Sequence, residues 1–137
     1  MRIFVDTSAL FKKYAVEPGS GAFEQALARA AEVAVSPVTR IEVHVTIERR
    51  LRDRTLSRGH ADWLRVEVAK DFAYFLQVVW NQHLERKAVE LIHRHTLRTL
   101  DAVQLASGVL SDAELFVTSD RKLYAEAQRV FRRTLYV

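Results

Sequence analysis

Asp6, Glu42, Asp101 and Asp120 are carboxylates in separate segments of the chain, and each falls where a predicted strand ends or a predicted helix begins. If the fold gathers them, their mutual repulsion raises their pKa values and weakens the fold unless a cation neutralises them. Ligation by oxygen alone suits Mg²⁺ or Mn²⁺, whose octahedral shells are completed by water and substrate phosphate. Such ions generate hydroxide, orient a phosphodiester and stabilise the leaving oxygen, so the chemistry implied is phosphodiester hydrolysis. Each acid also has a plainer reading. Asp6 and Asp120 could be turn formers, Asp101 a first-turn helix stabiliser, and Glu42 one polar residue on an exposed face. Only their joint placement argues for a site.

Other chemistries find less support. The chain has no cysteine, which excludes disulfides, thiolate zinc sites and a cysteine nucleophile and fits a reducing compartment. His44, His60, His83, His93 and His95 form no His-Glu-x-x-His pair. Gly19 and Gly21 lack a third glycine where Glu24 stands, and no Gly-Lys-Ser/Thr occurs, so Pro18–Gly21 reads as a turn. No Gly-x-Ser-x-Gly elbow is present for a serine hydrolase.

At 137 residues and 49% hydrophobic content, the chain suits one domain, 1–137, with one sizeable core. The 21 Lys and Arg outnumber the 17 Asp and Glu, a formal net charge of +4, the sign expected of a protein that meets phosphates. The excess is concentrated at Arg49, Arg50, Arg52, Arg54 and Arg58, and again at Arg129, Arg132 and Arg133. Arg49, Arg50 and Arg52 are the candidate RNA contacts, and a pair of solvated helix faces is the alternative. The opening Met-Arg-Ile-Phe-Val-Asp meets a charge too early for a secretory leader, and no apolar run is long enough for a membrane span. A cytoplasmic setting with no membrane partner is therefore expected.

The elements that must position the acids are short. Arg2–Val5 reads as a buried strand followed by a helix capped by Thr7 or Ser8. Phe23, Leu27 and Ala30 or Ala31 recur at helical spacing, and residues 33–35 read as a second strand closed by Ser36-Pro37. Residues 75–79 are the third strand, and a helix runs through Leu84, Ala88, Leu91 and Ile92. Thr99 caps a helix carrying Asp101, residues 115–117 form the fourth strand, 123–130 a helix and 134–137 a fifth strand. Strands alternating with amphipathic helices imply a parallel sheet covered on both faces, a three-layer α/β sandwich. Residues 41–47 alternate apolar and polar at the period of a strand. A helix starting near Pro37 and continuing through the arginine cluster is preferred, because the long polar continuation suits it better. In parallel sheets ligands bind beyond the carboxyl ends of the strands, which is where Asp6 and Asp120 fall.

Four segments carry a family resemblance: Phe4-Val5-Asp6-Thr7-Ser8-Ala9-Leu10; Arg40-Ile41-Glu42-Val43; Leu100-Asp101-Ala102-Val103-Gln104-Leu105-Ala106; and Phe116-Val117-Thr118-Ser119-Asp120-Arg121-Lys122-Leu123. In order and spacing the chain resembles the PIN-domain family, specifically its VapC toxin type. The resemblance implies a five-stranded parallel sheet between helices and Mg²⁺- or Mn²⁺-dependent endoribonuclease activity. Asp6, Glu42, Asp101 and Asp120 match the family's metal-binding acids, and Thr118 and Ser8 match positions whose hydroxyls assist them. It further implies a homodimer, an RNA substrate and a cognate VapB-like antitoxin. Gln104 departs from the commonest pattern, standing where His is frequent.

Two rival functions remain open on the sequence. An aspartyl-phosphate phosphotransfer domain also places an Asp after its first strand, although Ser8 stands where the dehalogenase pattern has a second Asp. A PIN-like module that binds RNA or protein without cutting is the other. The aromatics Phe11, Tyr14 and Trp63 are expected to include exposed side chains that a partner covers, with core packing as the alternative.

Overall fold

The computed structural model describes all residues, 1–137. Strand β1 (Arg2–Val5) is followed by the short helix α1 (Thr7–Leu10) and a 3-10 turn at Phe11–Lys13. Then come α2 (Ser20–Arg29), β2 (Glu32–Val35), α3 (Thr39–Arg52), α4 (Arg58–Phe72), β3 (Leu76–Gln77), α5 (Gln82–Arg94), α6 (Thr99–Leu110), β4 (Leu115–Thr118), α7 (Arg121–Val130) and β5 (Thr134–Tyr136). No helix is long and apolar enough to cross a membrane.

All strand pairs are parallel, in the order β3-β2-β1-β4-β5. The inner strands read as continuous apolar runs because side chains alternate between two buried faces. Ile3, Val5, Val35, Leu115 and Val117 join the core shared with Leu10, Phe23, Val43, Ile47, Leu64 and Val68. Phe4, Ala34 and Phe116 point the other way, into a second core with Leu84, Leu91, Leu105 and Leu123. The result is the expected three-layer sandwich. Connections run outward from β1 through β2 to β3, then cross to β4 on the opposite side, so β1 and β4 flank the switch point.

Residues 41–47 are helical. A period of two on a helix sends alternate apolar residues to opposite sides, because each pair of steps turns about 200°. Val43 and Ile47 are buried, whereas Ile41 and Val45 are 66% and 57% exposed. The strand-like alternation is therefore the signature of a helix with a second apolar face.

Several local expectations need correction. Asp6, not Thr7 or Ser8, caps α1 by accepting from the Ala9 amide. Arg98 is the N-cap of α6, and Thr99 is its first residue. The third strand is only Leu76–Gln77. Helix α4 was not anticipated, yet Ala61, Leu64, Val68 and Phe72 are its buried stripe and Ser57 caps it by accepting from the His60 amide. That helix also accounts for the aromatics. Tyr14 donates to Asp71 of α4 at 2.7 Å, and Phe11 and Tyr14 are buried; of the three aromatics among which exposed side chains were expected, Trp63 is the exposed one and the other two belong to the core.

Gly108 supplies a test of the second core. A Cβ there would stand 2.8 Å from Phe131 Cζ and 2.9 Å from Phe116 Cδ2, where the two rings stack at 4.8 Å. Gly108→Ala should destabilise the protein by about 1–3 kcal/mol in urea denaturation, overpacking outweighing the helix-propensity gain of about 1 kcal/mol. A more stable variant would mean that the aromatic stack yields freely.

Candidate active site

Parallel pairing of Val5 with Val117 fixes Asp6 beside Thr118, and the Asp6 amide donates to the Val117 carbonyl at 3.1 Å. Asp6 is buried at 4% exposure, which a carboxylate tolerates only if its oxygens are satisfied. Its Oδ1 accepts from the Ala9 amide at 2.9 Å, its Oδ2 from Thr118 Oγ1 at 2.8 Å, and Ser8 Oγ lies 2.8 and 2.9 Å from the two. Ser8 in turn accepts from the Ser119 amide, and Thr118 from the Asp120 amide. Burial nevertheless dominates and pushes the Asp6 carboxyl up to about 7, with these hydrogen bonds opposing and Asp120 adding a small push.

Asp120 is the N-cap of α7, where the helix dipole favours an anion. Its Oδ1 accepts from the Lys122 and Leu123 amides at 2.8 and 3.1 Å. Glu42 comes from the first turn of α3. Its Oε1 accepts from Thr7 Oγ1 at 2.8 Å and Gln104 Nε2 at 2.7 Å, and Gln104 also reaches Thr7 Oγ1 at 3.2 Å. In both acids the protein bonds fall on one oxygen and leave the second free for a ligand. Asp101, in the first turn of α6, is held by no hydrogen bond. Burial raises its pKa most, Asp120 and Glu42 raise it further, and Arg98 and Lys122 draw it down.

Glu42, Asp101 and Asp120 line one cavity together with Arg98, Thr99, Leu100, Arg121 and Lys122. Asp6 does not line this cavity but is coupled to it electrostatically through Asp120. No three of these carboxylates stand so that they could hold a metal ion unaided. The chemistry of the donors, carboxylate oxygens with one left free on Glu42 and on Asp120, suits a hard divalent ion such as Mg²⁺ that keeps several waters.

The remaining candidates are spread along α3. Arg49 and Arg50 line a groove that runs from Thr7, Ser8, Glu42 and Ser119 past Ile41 and Val45. Arg50 spends its guanidinium internally, 3.3 Å from Glu17 and 4.2 Å over the Phe11 ring, whereas Arg49 is exposed. Arg52 is exposed and lines a separate cavity with Arg54 and Arg58. Sequence reasoning passed over Thr7, Arg98, Arg121 and Lys122. The available signal was position: Arg98 precedes Asp101 by three residues, and Arg121 and Lys122 directly follow Asp120.

The fold is similar to that of several solved structures. A toxin-antitoxin complex from Klebsiella pneumoniae aligns at 22% identity over 90% of each chain with a TM-score of 0.66. VapC20 of Mycobacterium tuberculosis, a sarcin-ricin loop cleaving toxin, aligns at 21% identity over 90% of this chain and 93% of its own, TM-score 0.68. VapBC2 from Rickettsia felis, bound to a DNA fragment from its promoter, aligns at 11% identity over 98% and 99%, TM-score 0.70. A comparison with curated proteins returns no match. Residues 3–128 match the PIN domain, and with the parallel sheet and the acids at its switch point this places the chain in the PIN-domain family.

Proposed function

We propose that this chain is a metal-dependent endoribonuclease and the toxin of a VapBC-type toxin-antitoxin pair. The observation that carries the nuclease reading is the cavity shared by Glu42, Asp101 and Asp120, each with at least one carboxylate oxygen free of protein partners. Asp6, outside the cavity lining, is linked to it through Thr118, which donates to Asp6 and accepts from the Asp120 amide. The toxin reading is supported by the VapC and VapBC structures that share the fold, and it brings a VapB-like antitoxin, an RNA substrate and a homodimer as partners.

A bound Mg²⁺ or Mn²⁺ would supply an acidified water and a positive charge for the phosphodiester oxygens. The chain's own work is placement. Gln104 and Thr7 hold Glu42 by Oε1, the α7 amides hold Asp120 by Oδ1, and Asp101 is left without a tether. The geometry weighs against aspartyl phosphorylation. A phosphoryl acceptor needs an accessible oxygen, and Asp6 is buried with both oxygens engaged.

Incubating the protein with total RNA, with and without Mg²⁺ or Mn²⁺ and beside Asp101→Asn, tests reaction, cofactor and site together. New RNA fragments with metal and native protein only are expected. Binding without fragments under every condition would identify the non-cleaving module instead.

Gln104→Leu tests the support of Glu42. The substitution removes a donor to Glu42 and also the Gln104 Oε1, which is buried without a partner. Stability should change by no more than about 1 kcal/mol, because a lost hydrogen bond is offset by a lost orphan acceptor. The metal concentration giving half-maximal cleavage should rise roughly 10- to 100-fold, the usual effect of removing a residue that orients a ligand. An unchanged metal requirement would show that Thr7 alone suffices.

A further inference from the structure

The acidic cavity is equally a basic one. Arg98, Arg121 and Lys122 line it beside Glu42, Asp101 and Asp120, and all three cations are exposed. Arg98 and Lys122 both lie close enough to draw the Asp101 carboxyl down. Even so, none of the three forms an ion pair, while nearby cations do: Arg94 with Glu90 at 3.7 Å and Arg129 with Glu126 at 3.9 Å. Arg98 is the N-cap of α6, and Arg121 and Lys122 are the first two residues of α7. The Arg121 guanidinium sits 5.0 Å over the Tyr136 ring, which restrains it without neutralising it.

Three acids and three cations that share a cavity without pairing leave both sets open to ligands, and a phosphate beside a divalent ion supplies the matching charges. The start of α6 adds to this. Arg98 makes no side-chain cap, so the first-turn amides of the 12-residue α6, including those of Thr99 and Leu100 in the cavity wall, are available to an anion. We propose that Arg98, Arg121 and Lys122 form a clamp for a backbone phosphate of the RNA strand at the mouth of the acidic cavity. This rests on the ribonuclease reading, and it adds a phosphate contact at the starts of α6 and α7.

The test uses the full chain and two readouts, of which loss of the clamp lowers the first and does not lower the second. Affinity for a labelled, mixed-sequence single-stranded RNA is measured in EDTA across a salt series, and Mn²⁺ affinity is measured without RNA by electron paramagnetic resonance. Arg98→Gln and Lys122→Gln should each weaken RNA binding roughly tenfold and lower the salt slope by about 0.7, one phosphate contact on a single strand. Each should bind Mn²⁺ as tightly as the native protein or several-fold more tightly, because a cation beside Asp101 is gone. Arg129→Gln removes the same charge outside the cavity and should leave both quantities near native.

The clamp is overturned if RNA affinity and slope are unchanged in both cavity variants, or if Arg129→Gln loses as much. It is equally overturned if Mn²⁺ affinity falls together with RNA affinity, the mark of a damaged site. The two readings fail separately. A protein that cuts RNA while the cavity variants bind it normally has no clamp, whereas one that binds through these cations and never cuts has a clamp and no nuclease.

Discussion

Asp101→Asn should abolish metal-dependent RNA cleavage, by a hundredfold or more, and leave the metal-free protein more stable than the native chain. The loss follows from the proposed site. An uncompensated change to transition-state charge stabilisation of several kcal/mol is worth at least two orders of magnitude in rate. The gain follows from Asp101's surroundings. Nothing donates to its carboxylate, burial disfavours its charge, and Asp120 and Glu42 repel it. Because its folded pKa lies above the ordinary value, the native state binds this proton more tightly than the unfolded chain does. Stability from this group is present at low pH and lost as pH rises through the raised value. The variant's advantage should therefore appear near neutral pH, on the order of 1 kcal/mol at low salt, and shrink as salt screens the repulsion. Urea denaturation in EDTA at two ionic strengths measures it. A variant that unfolds would make Asp101 a structural residue, and one that still cuts would remove it from the site.

What was legible in the sequence and what was not divides along the range of the interactions. Asp6 and Asp120 could be placed because an acid following a buried strand is a local pattern, and the parallel sheet delivers both to one rim. Glu42 was placed through the helical reading of residues 41–47, which the buried pair Val43 and Ile47 bears out. Thr118 and Ser8, expected to assist the acids, do hydrogen-bond Asp6, but the support of Glu42 was not legible. Gln104 meets Glu42 across 62 residues and Thr7 meets it across 35, contacts that exist only once α1, α3 and α6 have packed. Which of Phe11, Tyr14 and Trp63 would be buried was not legible for a related reason. It depends on α4, and without that helix no cover for their rings was in view. Helix α4 itself was readable from the spacing of Ala61, Leu64, Val68 and Phe72, so that omission was one of reading rather than of physics. Arg98 and Lys122 gain significance only from the cavity they line with the three acids.

The second large effect belongs to Asp6, and it separates this acid from Asp101. Burial lifts its pKa from 3.8 to about 7, the folded value again above the unfolded one. In metal-free solution this group's contribution should be fully present below about pH 3.8 and be lost progressively between there and about pH 7, up to about 4 kcal/mol in all at 1.36 kcal/mol per unit. Asp6→Asn should remove that slope, yet without the net stabilisation expected of Asp101→Asn. Ser8, Ala9 and Thr118 all aim donors at Asp6, and an amide nitrogen in place of one oxygen leaves a buried hydroxyl facing another donor. That mismatch costs about 1–3 kcal/mol, enough to offset most of the charge relief. The difference between native and variant stability across pH 3.5 to 8, measured in EDTA, isolates Asp6 from groups that titrate alike in both proteins. Parallel profiles for the two proteins would mean that the hydrogen bonds hold Asp6 ionised throughout, with burial the weaker influence.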